Sequence, residues 1–409
     1  MTPSGEAIVN FRLPAWKECE NSYDWQELGA DLQRNAQTLE KIRAGLAQPV
    51  LDNQLDYSIG PKLLIPELMV AKNLTYWFGS ECQLALHEHR IDDARRALLS
   101  QISLPRYLAN DSVLISELVR GALGSIARSD TWEALQSDGW TDDQLLEMQQ
   151  AWLQTRYLAN LTRSLQGERV FAATAFEQCR KSNDDAYSLI FWTESLAGED
   201  DSVLPPWENW LRSLTGEAFT KFAKKQVYCG TWRFAWVDQS QVRYSRQIQS
   251  LIEISRAAEQ TKSWTTASKQ IDLLLAKAEN KNFYDELRFP TGAGSIATLS
   301  RAINKAMRLE TERSLIVAAI ALKRYALKNA SPPSSLNELA PALLDSIPID
   351  YMDGKPLKYR LDAAGWPVLY SVGEDGIDDG GDLTLLKSTA LTAGWWSRKD
   401  VVWPNALAQ

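Results

Sequence analysis

An acidic, glycine-rich segment near the C-terminal end has residue types that bind metal ions. Positions 374–382 read EDGIDDGGD, which places four aspartates and three glycines within nine residues. Calcium takes about six to eight oxygen ligands from carboxylates and carbonyls, and glycine lets the backbone wrap around the ion. The segment therefore predicts a calcium loop, with a solvated acidic turn as the alternative.

The two histidines, His87 and His89, give little support to catalysis. Two positions apart on a helix, their side chains point about 200° away from each other and cannot share a metal ion. Cys82 precedes His87 by an offset that also separates their faces, and no GxSxG motif is present. We therefore predict no catalytic centre and no cofactor-binding residue, and interpret the protein as non-enzymatic.

Two residue sets offer alternatives to that interpretation. Paired carboxylates could serve a hydrolase, and tryptophans could line a groove for a glycan or a peptide. The carboxylates are Glu168, Asp184, Asp185, Glu199, Asp200 and Asp201. The tryptophans are Trp192, Trp207, Trp210, Trp232, Trp236 and Trp264, from 16 in the chain. Helix caps account for the first set equally well, and core packing accounts for the second.

Composition and charge limit the classes of function. The 409-residue chain has 45% hydrophobic and 23% charged residues, which is typical of globular proteins. The net charge of −8, with scattered lysines and arginines, argues against nucleic acid as a partner. No apolar run reaches the ~18–20 residues of a membrane span, although the sequence is compatible with an anchor that was removed. The cysteines are interpreted as buried thiols, with disulfides left open, at Cys19, Cys82, Cys179 and Cys229.

Residues 1–294 are predicted to be mainly α-helical, as an irregular scaffold of helical hairpins that is solenoid-like or bundle-like. The segment CQLALHEHRIDDARRALLS has a small-residue helix, a polar turn and an Asp-capped return helix, which is the pattern of a hairpin. Apolar periodicity predicts further helices at 112–128, 142–163, 168–182, 206–226, 241–260 and 264–279.

Residues 295–409 are predicted to form a small α+β domain. A long helix is expected over 296–328, followed by a short capped helix. The alternating segments 357–361 and 368–371 predict a β-hairpin. Three tail tryptophans are expected to pack back onto the body, namely Trp395, Trp396 and Trp403.

Residues 310–382 resemble the globular domain of the major pseudopilin of type II secretion. The shared features are a helix ending in ALKRY, a polar break with proline, a short L..L.P helix, the segment PIDYMDGKPLKYR and the ending LYSVGEDGIDDGG. The whole chain is also similar to bacterial proteins of the planctomycete and verrucomicrobial kind, and that similarity implies no activity.

The pseudopilin resemblance implies a calcium site, because the matching loop of major pseudopilins binds calcium. It implies Asp375 as the first acidic ligand and Asp378 or Asp379 as later ligands, with Asp382 and carbonyls near Ser371 completing the set. A true pseudopilin begins with a continuous apolar helix, whereas the equivalent helix here carries many charges. Polymerisation as a pilin is therefore not expected.

Together these features predict a scaffold or interaction protein of the bacterial envelope, in the periplasm or elsewhere outside the cytoplasm, with a cytoplasmic location as the alternative. The expected partner is a protein or a glycan, and calcium is the expected cofactor. A glycan- or peptide-binding protein with a tryptophan-rich groove is the second hypothesis, and a carboxylate-dependent hydrolase is the third.

Overall fold

The protein is mainly α-helical with a small α+β part near its C-terminal end, as the sequence predicts. A computed structural model describes residues 25–48, 55–191, 217–279, 282–290, 292–386 and 394–403. The first helices are α1 (Trp25–Leu46), α2 (Glu67–His87), α3 (Ile91–Tyr107), α4 (Leu114–Gln136), α5 (Asp142–Gln154), α6 (Leu158–Lys181) and α7 (Asn183–Ile190). Helices α2 and α3 form the predicted hairpin.

A second group of helices leads to the sheet. They are α8 (Glu217–Phe222), α9 (Cys229–Ala235), α10 (Val237–Thr261), α11 (Trp264–Glu279), α12 (Phe283–Arg288) and the long α13 (Gly292–Asn329), with a π-helical segment over Ala223–Tyr228. The strands are β1 (Lys358–Leu361), β2 (Pro367–Ser371) and β3 (Val401–Trp403).

Helix α13 is the central element of the protein. Its C-terminal half packs with α2 to α5 and the sheet in one hydrophobic cluster, which includes Ile316, Ile320 and Trp152. Its N-terminal half packs with α6, α10 and α11 in a second cluster, which includes Ile303 and Leu251. The two segments that the sequence predicts as separate domains therefore share both clusters.

Charged residues of α13 are buried against the surrounding helices. The Glu310 carboxylate accepts from Arg313 Nε at 2.8 Å, and both side chains are less than one-tenth exposed. Arg324 Nε donates to Asp142 Oδ1 at 2.7 Å, and its Nη1 donates to Gln149 Oε1 at 3.0 Å. Buried charges need partners of this kind because desolvation is costly. Four of the charges that separate this helix from a pseudopilin helix are therefore part of the core, namely Glu310, Glu312, Arg313 and Arg324.

Helices α5 and α6 differ from the predicted pattern, which placed helices over 142–163 and 168–182. The chain instead breaks between α5 and α6, and α6 then runs unbroken to its end. The break has a tertiary origin, because the backbone N–H groups of Tyr157 and Leu158 donate to Glu310 Oε1 at 2.8 and 3.1 Å. Glu310 thereby caps the new helix from a distant part of the chain.

The strands form a three-stranded antiparallel sheet in the order β1-β2-β3. The hairpin of β1 and β2 was predicted, and the third strand was not. The tail tryptophans pack onto the body as expected, because Trp395 Nε1 donates to the Val402 carbonyl at 3.0 Å and Trp396 Nε1 donates to Glu312 at 2.7 Å. Trp403 itself pairs with Leu369 in the sheet.

Free thiols are found at the described cysteines Cys82, Cys179 and Cys229, and all three are buried. Cys19 lies outside the described residues. Within the described ranges, no helix has the length and apolar character needed to cross a membrane.

Candidate functional site

A groove of about 610 Å³ lies between α10, α11 and α12 and is lined by four cationic side chains. We call it the cationic groove and define it by Arg243, Arg246, Lys277 and Arg288. Its apolar surface comes from Val242, Leu274, Ala278 and Phe289. The sequence hypotheses did not include this site.

The periodicity of α10 places its polar side chains on the groove side. Arg243, Arg246, Gln247 and Ser250 follow the spacing i, i+3, i+4, i+7, which defines one face of a helix. Ile248, which lies between them, belongs to the second hydrophobic cluster instead. The helix is therefore fixed by its apolar face while the arginines remain accessible.

The other two helices are held beside α10 by identifiable contacts. Lys262, in a left-handed conformation with a φ of 52°, ends α10 and lets α11 return alongside it. Asn282 caps α12 by accepting from the Asp285 N–H at 2.9 Å. The Arg288 carbonyl accepts from Trp232 Nε1 at 3.1 Å and from Ser240 Oγ at 2.8 Å. These bonds fix the end of α12 at the rim of the groove.

The four cations have no carboxylate partner among the described residues. The carboxylate that lines the groove, Asp238, forms an ion pair with Arg180 at 2.6 Å. The local charge is therefore positive in a chain whose net charge is −8. A concave surface with one sign of charge attracts ligands of the opposite sign.

Aromatic and amide groups complete the groove. The Phe289 ring contacts the guanidinium groups of Arg243 and Arg288, whose Cζ atoms are 4.5 and 4.9 Å from its centroid. Such contacts restrain arginine side chains while leaving their N–H edges free to bind. Gln247 is 8% exposed, and its Oε1 has no hydrogen-bond partner within the described residues. The Arg288 Nε is buried and likewise unpaired there.

The predicted calcium ligands are engaged with protein groups. Asp375 Oδ1 accepts from the Ile377 N–H at 3.0 Å. Asp378 Oδ1 accepts from the Tyr370 hydroxyl at 3.0 Å. The Ser371 hydroxyl donates to a different carboxylate, Asp350, at 2.9 Å. These contacts position the loop through protein groups.

A lysine lies against the remaining two predicted ligands. Lys399 Nζ is 3.6 Å from Asp379 and 3.2 Å from Asp382. The Thr384 N–H, which donates to Asp382, lowers the pKa of that carboxyl. No group of three or more His, Cys, Asp or Glu within the described ranges is arranged to hold a metal ion. Calcium binding by this loop stays a prediction.

The alternative residue sets are largely engaged in structural roles where they are described. Trp232 is fully buried, and Trp236 packs edge-on against Tyr284. Glu168 accepts from the Leu114 N–H at 3.0 Å. Asp184 and Asp185 lie in the first turn of α7, where the Ser182 hydroxyl accepts from both N–H groups. Trp264 is partly buried against the second hydrophobic cluster. The other members lie outside the described residues, namely Trp192, Trp207, Trp210, Glu199, Asp200 and Asp201.

A sequence signal for the cationic groove does exist. Arg243, Arg246 and Lys277 have no acidic residue three or four positions away. By contrast, Arg180 and Arg96 pair with acidic residues three positions earlier. Cations without a helical counter-charge are candidates for binding, but the sequence does not show that two helices bring them to one groove.

Comparisons of the chain with protein-family models, with curated proteins and with solved structures find no match. The resemblance to the pseudopilin domain therefore stays a prediction from the motifs of residues 310–382.

Proposed function

We propose that this protein is a non-enzymatic interaction protein that binds an anionic ligand in the cationic groove. The observation that carries the proposal is a set of four cations around one concave surface, none of which has a carboxylate partner in the part of the chain that the structure describes. Helical scaffolds commonly present such surfaces to partners. The ligand supplies the counter-charge that the described residues do not.

The physical basis is electrostatic attraction between partly exposed charges. Arg246 and Lys277 are exposed, so binding should weaken as added salt screens the interaction. Arginine also binds carboxylates through two parallel hydrogen bonds, which gives orientation as well as attraction. A ligand with several carboxylates can engage cations on both long helices.

Calorimetric titration with hexaglutamate at low ionic strength tests the proposal. The variant Arg246→Gln/Lys277→Gln removes one cation from each long helix, and we expect about tenfold weaker binding, equivalent to ~1.4 kcal/mol. The matched control Arg256→Gln/Lys269→Gln removes one exposed cation from each of the same helices, away from the groove. Equal losses in the two variants, or no binding at all, would contradict the proposal.

We also propose, from the pseudopilin resemblance, an envelope location and calcium binding by the 375–382 loop. Cell fractionation tests the location, and recovery with the cytoplasmic fraction would count against it. A calcium titration tests the loop, with heat expected from the native chain and lost in Asp379→Asn. Absence of heat in the native chain would end the calcium hypothesis.

A further inference from the structure

We propose that the ligand of the cationic groove is an extended acidic peptide segment that carries apolar side chains between its carboxylates. The inference rests on the proposed function and names the ligand class for the same site. Three features support this inference: the length of the groove, its apolar lining and two polar atoms without hydrogen-bond partners among the described residues.

The groove is long rather than compact. Its lining residues on α10 run from Asp238 to Ser250, which corresponds to about 18 Å along the helix axis. An extended peptide advances about 3.3 Å per residue, so roughly five residues span this length. A phosphate or a single carboxylate contacts only one part of such a surface.

Apolar side chains alternate with the cations along the groove. Val242 is 48% exposed beside Arg243, and Leu274 lies one helical turn from Lys277. The Phe289 ring lies next to two guanidinium groups. Such a surface gains binding energy from apolar side chains of the ligand, since their contact removes apolar area from water. A polyphosphate has no groups of this kind.

The unpaired polar atoms match a peptide backbone. Gln247 Oε1 accepts hydrogen bonds and requires a donor, whereas Arg288 Nε donates and requires an acceptor. A peptide unit carries both an N–H donor and a C=O acceptor. A fatty-acid carboxylate and a fully ionised phosphate provide acceptors only. Both atoms are buried, so a peptide reaches them only when the Gln247 and Arg288 side chains turn toward the groove, and a peptide then satisfies both of them.

The test compares two peptides by calorimetry on the full chain, Ac-Glu-Glu-Leu-Glu-Phe-Glu-NH₂ and hexaglutamate. We expect the mixed peptide to bind about fivefold more tightly although it has fewer carboxylates. We expect Val242→Gln to weaken binding of the mixed peptide more than binding of hexaglutamate, and so to remove most of this difference. The matched control Val170→Gln alters a similarly exposed valine on α6 and should have no effect.

The outcomes separate this inference from the proposed function. If hexaglutamate binds and requires Arg246 and Lys277, but the mixed peptide binds no better, the ligand class is wrong and the anion-binding function stands. Tighter binding of dodecanoate or an oligogalacturonate than of the mixed peptide would also overturn the ligand class. If neither peptide binds, both proposals fail.

Discussion

Single buried charges on α13 determine how the helices around it begin and end. Glu310 is 2% exposed and serves three donors, namely Arg313 and the backbone N–H groups of Tyr157 and Leu158. Removing its charge leaves Arg313 buried without an ionic partner and weakens the cap of α6. The cost of such a change is large because the remaining charge stays away from water.

We therefore expect Glu310→Gln to lower the free energy of unfolding by ~3–5 kcal/mol, as measured by urea denaturation. The control is Glu147→Gln, which removes an exposed partner of Arg95 and should cost at most ~1 kcal/mol. If Glu310→Gln lowers the free energy of unfolding as little as the control does, the buried pair of Glu310 and Arg313 contributes little to stability.

A second buried carboxylate has no ionic partner among the described residues. Asp130 is fully buried and accepts from Gln83 Nε2 at 3.1 Å and from Gln101 Nε2 at 2.5 Å. Burial raises the pKa of Asp130 from 3.8 to about 6. The folded protein therefore keeps a proton there that the unfolded chain releases at lower pH. The free energy of unfolding should fall as the pH rises from about 4 to about 6.

The side chain introduced by Asp130→Asn does not titrate. The free energy of unfolding of this variant should therefore not fall between pH 4 and pH 6 for this reason. We compare the free energy of unfolding of the variant with that of the native chain. From pH 4 to pH 7, this difference should change by up to ~3 kcal/mol in favour of the variant. Urea denaturation of both proteins across that range measures the difference. Parallel pH profiles would mean that Asp130 has an ordinary pKa.

At the scale of elements, local patterns predicted most helices and long-range contacts decided the rest. Helices α10, α11 and α13 and the hairpin of β1 and β2 follow the periodicity of their own residues. The sequence prediction left positions 164–167 outside both helices, yet α6 passes through Gly167. Glycine is needed there, since a Cβ would lie 1.6 Å from the Ser112 carbonyl oxygen. The sequence alone does not show this close approach.

Replacing Gly167 therefore tests the packing of α6. In an exposed helix Gly→Ala stabilises, but at this position we expect Gly167→Ala to cost ~1–3 kcal/mol because a backbone atom must move. The control Gly45→Ala in α1 meets no atom within 4 Å and should stabilise by up to ~1 kcal/mol. If this packing is correct, the midpoint temperature of thermal unfolding falls for Gly167→Ala and rises for Gly45→Ala.

At the scale of the whole molecule, α13 connects the two segments that the sequence analysis separates, residues 1–294 and residues 295–409. Both hydrophobic clusters contain residues from α13 and from earlier helices. The groove depends on the same core, since α10 and α11 belong to the second cluster. Helix α12 is held beside them by the bonds that its Arg288 carbonyl accepts from Trp232 and Ser240. Sequence patterns describe each helix but not this assembly.

We expect a chain that ends at residue 290 to lose fixed tertiary structure, because it lacks the α13 side chains of both clusters. Near-ultraviolet circular dichroism should disappear while far-ultraviolet helical signal remains in part. The full chain should show one cooperative transition by both signals. A truncated chain with its own cooperative transition would support independent domains instead.

Zero-length carbodiimide cross-linking of hexaglutamate to the full chain tests the binding claim most directly. Lys277 in the groove and Lys269 on the same helix are both exposed amines, so their reactivity differs mainly by where the ligand binds. We predict that peptide mapping by mass spectrometry finds the adduct at Lys277 and that added salt removes it. Equal modification of the two lysines would contradict a binding site in the groove.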